Sequence, residues 1–150
     1  NFNSPGQIVI SGSVEGVHRA MVLANERGAK MAKELVVHGA FHSALMESAR
    51  EDFEVALDYT EFKKVQIPVY TNVHATPITK DTELEFIKRT LYDQLTSSVR
   101  WEESIMNMIN DGAREFIELG PGKVLQGLIK RIDNTVVIKG VDKAEDINKL

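Results

Sequence analysis

The stretch from Glu115 to Ile138 constrains the fold more than any other. Glu115-Phe116-Ile117-Glu118-Leu119 reads as a strand and Gly120-Pro121-Gly122 as a tight turn. Val124, Leu125, Leu128, Ile129 and Ile132 then recur at helical spacing, and Thr135-Val136-Val137-Ile138 is a second strand. Strands that alternate with helices at this rhythm argue for an α/β layer structure with a mainly parallel sheet.

The remainder of the chain has the same character. After Ser4-Pro5-Gly6, the run Gln7–Ser11 is β-rich, and Ser13 is placed to cap a helix that carries Val14, Val17, Met21 and Ala24 inward. Glu34–Val37 reads as a short buried strand, so residues 7–37 are expected to make one β-α-β unit. Leu45, Met46, Ala49, Phe53, Ala56 and Leu57 mark a helix that begins at Ser43. Val65–Val73 is a strand with Pro68 near its start or at an edge, and Ala75 to Thr82 is a polar loop. Leu84, Ile87, Leu91 and Leu95 stripe the next helix, with Gln94 in its last turn; Trp101, Ile105, Met108 and Ile109 stripe another. A short helix is expected at the C-terminal end.

Composition narrows the function classes. The chain has 150 residues, 43% of them hydrophobic, enough for one sizeable core. A net charge of −4 with interspersed signs offers no broad basic face for nucleic acid and no polybasic helix for a membrane surface. The absence of cysteine removes disulfides, thiolate nucleophiles and thiolate metal sites, and fits a reducing cytoplasm. No apolar run approaches the ~20 residues of a membrane span. Asn1 is not a methionine, and the chain reads as a piece of something longer.

The candidate chemistry centres on Val37-His38-Gly39-Ala40-Phe41-His42-Ser43, where an apolar run breaks at a glycine and delivers His42 to a helix start. That position suits a general base, although a lone histidine there is more often a cap or a half-exposed polar residue. His38 and His42 lack the intervening glutamate of a zinc-protease helix, so no metal site is expected. Gly120-Pro121-Gly122-Lys123 lacks the spacing and the following Ser/Thr of a phosphate loop, and reads instead as a turn that lets strand and helix pack closely. Gly12-Ser13-Val14-Glu15-Gly16 has the wrong spacing for a serine elbow, which leaves His42 without an evident nucleophile in this chain.

Several blocks carry a family resemblance: Asn3-Ser4-Pro5-Gly6-Gln7-Ile8-Val9-Ile10-Ser11-Gly12; Gly39-Ala40-Phe41-His42-Ser43 with Leu45-Met46; Gln94-Leu95 leading to Val99-Arg100-Trp101; and Glu118-Leu119-Gly120-Pro121-Gly122-Lys123-Val124-Leu125 with Gly127-Leu128. In this order they resemble malonyl-CoA:acyl-carrier-protein transacylase, over the C-terminal half of that enzyme. The resemblance implies the C-terminal part of an α/β-hydrolase-like acyltransferase fold with part of an inserted ferredoxin-like subdomain. Residues 1–37 would belong to the small subdomain and 38–150 to the large one.

It implies further that His42 is the base for a serine supplied by the N-terminal half of the same enzyme, oriented by the main-chain carbonyl of Gln94. Phe41 would shape the acyl pocket. Malonyl would pass from malonyl-CoA to the phosphopantetheine thiol of acyl carrier protein in fatty acid biosynthesis, in the cytoplasm. No cofactor, metal, nucleic acid or membrane is implied, and the chain alone is expected to be inactive. Two other readings compete: an acyltransferase domain of a polyketide or fatty-acid synthase, and a non-catalytic interaction domain.

Overall fold

The computed structural model describes residues 1–149. In chain order the elements are β1 (Phe2–Ser4), β2 (Gln7–Ile8), α1 (Val14–Glu26), a 3-10 segment (Ala44–Ala49) that runs into α2 (Arg50–Asp58), β3 (Val69–Tyr70), β4 (Pro77–Ile78), α3 (Leu84–Asp93), α4 (Trp101–Asn110), β5 (Glu115–Leu119), α5 (Val124–Ile132), β6 (Val137–Val141) and a closing 3-10 segment (Ala144–Lys149). Leu150, the last residue of the domain expected over 38–150, lies outside the described residues.

β5 and β6 pair in parallel, in register from Glu115 opposite Val137 to Leu119 opposite Val141. Parallel neighbours need a crossover, and α5 supplies it. Because side chains alternate across a strand, Phe116 and Ile138 turn to one face, where they pack on a core of Ile105, Ile129 and Val136 together with Trp101, Met108, Ile109 and Ile132. Ile105 of α4 is its most enclosed member, only 1% exposed. The alternate residues Ile117 and Leu119 are exposed.

The N-terminal hairpin sits on the same body. Gly6 takes a positive φ of 74° between β1 and β2, a conformation that costs glycine little. The Phe2 amide donates to the Val99 carbonyl at 2.8 Å, and β1 packs beside α4 and α5. β3 starts directly after Pro68, which therefore withholds no ladder donor.

The sequence expectations need correcting at several points. The expected strand Glu34–Val37 is not formed: no strand lies beside it among the described residues, so its backbone has no ladder to join, and Val36 is 97% exposed. The β-α-β unit over 7–37 therefore does not close. The first β-run is ordered as strand only at Gln7–Ile8, and Val65–Val73 only at Val69–Tyr70. The stretch 75–82 is not all loop, because Pro77–Ile78 returns antiparallel to β3 after a turn in which the Ala75 amide donates to the Thr71 carbonyl. Ser13 does cap α1, accepting from the Gly16 amide, but α1 buries no residue and Val14 is exposed. The described strands form three two-stranded sheets, with β5–β6 the parallel one.

The turn between β5 and α5 is held by carboxylates. Gly120 and Gly122 have φ of 133° and 90°, and the Gly122 amide donates to Asp142 Oδ1 at 2.6 Å. The amides of Leu125 and Gln126 donate to the two oxygens of Glu118 at 3.0 and 3.2 Å. Desolvation pushes the Glu118 carboxyl up, but these backbone donors outweigh it and hold the group below its ordinary value of 4.5. A depressed carboxylate contributes stability that is present above 4.5 and is lost as pH falls through the lower folded value. Glu118→Ala should cost about 0.5–2 kcal/mol at pH 7, the range for losing a cap at a helix start. In urea titrations the gap between wild type and variant should close as pH falls below 4.5, and a gap independent of pH would show that the ionised carboxylate is not the cap.

Candidate active site

His42 lies in a turn just before the 3-10 segment that begins at Ala44. Ser43 fixes this junction by accepting from the Leu45 amide at 3.3 Å and donating to the Ala40 carbonyl at 2.6 Å. The backbone of His42 is left-handed, with φ of 61°, a strained conformation for a residue with a Cβ. What holds it there comes from the end of α3. The His42 amide donates to the Leu95 carbonyl at 3.2 Å, and Nδ1 lies 2.9 Å from the Gln94 carbonyl oxygen.

That second contact defines the tautomer. A carbonyl oxygen only accepts, so Nδ1 carries the proton of the neutral ring and Nε2 keeps its lone pair. Nε2 makes no hydrogen bond among the described residues, and the ring is half-buried. An imidazole fixed at one nitrogen and open at the other is a proton acceptor with a set direction. Phe41, the preceding residue, is 52% exposed and folds its ring back on Gly39, where an added Cβ would come within 3.1 Å of Cε2. The structure thus brings His42 and Gln94 together and sets Phe41 beside them in sequence, outside the core.

Sequence reasoning missed the residues around this pair. Arg50, the first residue of α2, donates from Nη2 to Asp93 Oδ1 at 3.0 Å, and Asp93 directly precedes Gln94. Arg89 Nε donates to the other Asp93 oxygen at 3.0 Å, and the Arg50 guanidinium lies 3.9 Å from the centre of the Tyr92 ring. The Arg89–Asp93 pair was readable as an i,i+4 spacing, whereas Arg50 reaches Asp93 across 43 positions and leaves no local signal.

Other candidates carry less. The turn at Gly120-Pro121-Gly122 offers no phosphate cradle, because the Gly120 amide donates to the Val141 carbonyl, the Gly122 amide to Asp142, and Pro121 has no N–H. His38 is exposed, and among the described residues no group of three or more His, Cys, Asp or Glu side chains could hold a metal ion. An open groove of about 440 Å³ lined by Phe2, Ser98, Arg100 and Met106 does not include His42. Arg100 in that groove is turned to Glu103, with contacts of 2.6 and 2.7 Å, and to the Val73 and His74 carbonyls. Among the described residues no helix is long and apolar enough to cross a membrane.

Comparison with known proteins identifies the family. The acyl transferase domain family matches residues 1–148. A malonyl CoA-acyl carrier protein transacylase of Bacillus subtilis is 46% identical over 147 residues, which cover 98% of this chain and 45% of that protein. A polyketide-biosynthesis malonyl CoA-acyl carrier protein transacylase of Bacillus velezensis is 45% identical over 135 residues, covering 89% of this chain and 45% of the relative. Among solved structures, an acyl carrier protein S-malonyltransferase from Vibrio cholerae superposes with a TM-score of 0.91 at 43% identity, over 99% of this chain and 48% of that one. The chain therefore spans about half the length of the relatives it matches, and shares their α/β acyltransferase fold. With a family match that runs almost from end to end, and structural neighbours that superpose on nearly all of its residues, the chain belongs to the acyl transferase domain family.

Proposed function

We propose that this chain supplies the histidine side of a malonyl-transferring site, acting with a serine from the N-terminal half of the same enzyme. The observation that carries the reading is the bond from His42 Nδ1 to the Gln94 carbonyl at 2.9 Å, which leaves Nε2 free to take a proton. The names of the relatives, malonyl CoA-acyl carrier protein transacylases, supply the substrate class. Residues 1–37 are assigned to part of a small ferredoxin-like subdomain and 38–150 to the C-terminal part of the large α/β-hydrolase-like one.

The chemistry is ping-pong acyl transfer. His42 Nε2 removes the serine proton as the oxygen attacks the thioester carbonyl of malonyl-CoA. Collapse of the tetrahedral intermediate breaks the C–S bond, and the imidazolium returns the proton to the departing sulfur. The acyl-serine is then attacked by the phosphopantetheine thiol of acyl carrier protein, with His42 as base again and the serine oxygen as leaving group. The Gln94 carbonyl orients the ring without adding a full negative charge, the role that a carboxylate plays in a serine protease triad. No cofactor or metal enters these steps, malonyl-CoA and carrier protein being substrates, and the pathway is cytoplasmic fatty acid biosynthesis. The Bacillus velezensis relative favours one second reading, the same transfer in service of polyketide assembly.

Three outcomes test this. The chain alone should transfer no radiolabelled malonyl from coenzyme A to carrier protein, since its sequence contains no Gly-x-Ser-x-Gly elbow; transfer above background would refute the division of the site. In the intact enzyme, His42→Ala should slow serine acylation by about 10²–10⁴-fold in single-turnover measurements, and an unchanged rate would return His42 to a structural role. Phe41→Ser should raise the methylmalonyl-to-malonyl ratio of kcat/KM by about tenfold or more, because a steric clash is worth ~1–3 kcal/mol. An unchanged ratio with malonyl activity retained would remove Phe41 from the acyl pocket.

A further inference from the structure

Two segments far apart in sequence meet at His42, and His42 makes only part of the join. The 42–50 segment carries the imidazole; the 93–95 segment carries the carbonyls that hold it. The carbonyl of Asp93 accepts from the Thr96 and Ser97 amides at 3.2 and 2.9 Å, forming the turn that ends α3 and aims the next two carbonyls. Arg50 grips the side chain of the same residue. Its Nη2 donates to Asp93 Oδ1, its Nη1 lies 3.0 Å from both oxygens of Glu47, and its plane lies over Tyr92. The Arg50 side chain is only 14% exposed and that of Asp93 26%, so water screens this pair less than an ion pair on the open surface.

We propose that Arg50 and Asp93 are positioning residues for His42. Their ion pair locks the turn at the end of α3 against the start of α2, and so keeps the Gln94 carbonyl within reach of Nδ1. The proposal rests on the reading of His42 as the base. Its physical content is directional: a lysine could keep the charge but not the fork shared between Asp93 and Glu47, nor the stacking on Tyr92. Small displacements of a catalytic group lower the rate steeply, which is how a residue that touches no reacting atom can matter.

The test uses the intact enzyme with ¹⁵N-labelled histidine. Wild type should show His42 as the Nδ1–H tautomer. Arg50→Ala and Asp93→Asn should each shift His42 toward Nε2–H and lower kcat by about 10- to 100-fold, with little change in KM for malonyl-CoA. The double variant should be no slower than the worse single one, because both break the same lock. Arg50→Lys should recover part of the Nδ1–H population. Asp93→Asn keeps the size of the side chain, so it supplies the measurement if Arg50→Ala fails to fold. Arg19→Ala, which removes an exposed pair with Glu15 on α1, is the control and should change neither readout. An unchanged tautomer in Asp93→Asn, with or without a fall in kcat, would overturn the proposal, as would additive losses in the double variant. Retention of full activity by His42→Ala would instead sink the underlying reading of the base.

Discussion

The bond between an imidazole and a backbone carbonyl 52 positions away is the constraint on which the candidate site turns. It joins the turn before the 3-10 segment at Ala44 to the end of α3, and His42 makes it from a left-handed backbone that a residue with a Cβ adopts rarely. Strain of that kind persists where the surroundings over-determine it. Here they do so with the Leu95 carbonyl on the His42 amide, the Gln94 carbonyl on its ring, and Ser43 holding the junction from the other side.

The rest of the chain stabilises the frame behind this contact. The parallel pair β5–β6, the crossover helix α5 and the underlying α4 enclose Ile105, Ile129 and Val136, while β1 is tied to the same body by the Phe2 amide. Glycines enter where the backbone takes a positive φ, at Gly122 with φ of 90°, and where a side chain lies on a strand, at Gly140 beneath Gln126. The turn at 120–122, which lacks the spacing of a phosphate loop in sequence, has both of its amides donated within the chain.

Much of this was legible in the residues. The helical stripes of α3, α4 and α5, the Ser13 cap and the strand-turn-helix of 115–132 follow from spacing and local chemistry, and the structure keeps them, while the helix expected from Ser43 opens as a 3-10 segment at Ala44 and the strand expected at 135–138 is ordered at Val137–Val141. The strands were less legible, because a strand exists only through its neighbour: Leu35, Val36 and Val37 have the right side chains but no adjacent ladder, whereas Pro77–Ile78 lies in a polar, loop-like stretch yet pairs with β3. His42 was readable from its junction, and its partner Gln94 from the family blocks. Arg50 was not, since nothing local distinguishes an arginine that braces a distant turn from one that merely decorates a helix.

The account's central claim is that His42 Nε2 is the base, and chemical rescue tests it most directly. In the intact enzyme, His42→Gly leaves a residue at ease with the left-handed backbone and an empty space where the ring stood. Added imidazole should then restore serine acylation by malonyl-CoA in a saturable manner, measured as the burst of released coenzyme A. A folded variant that binds malonyl-CoA but gains nothing from imidazole, or one that acylates at the wild-type rate without it, would contradict the account.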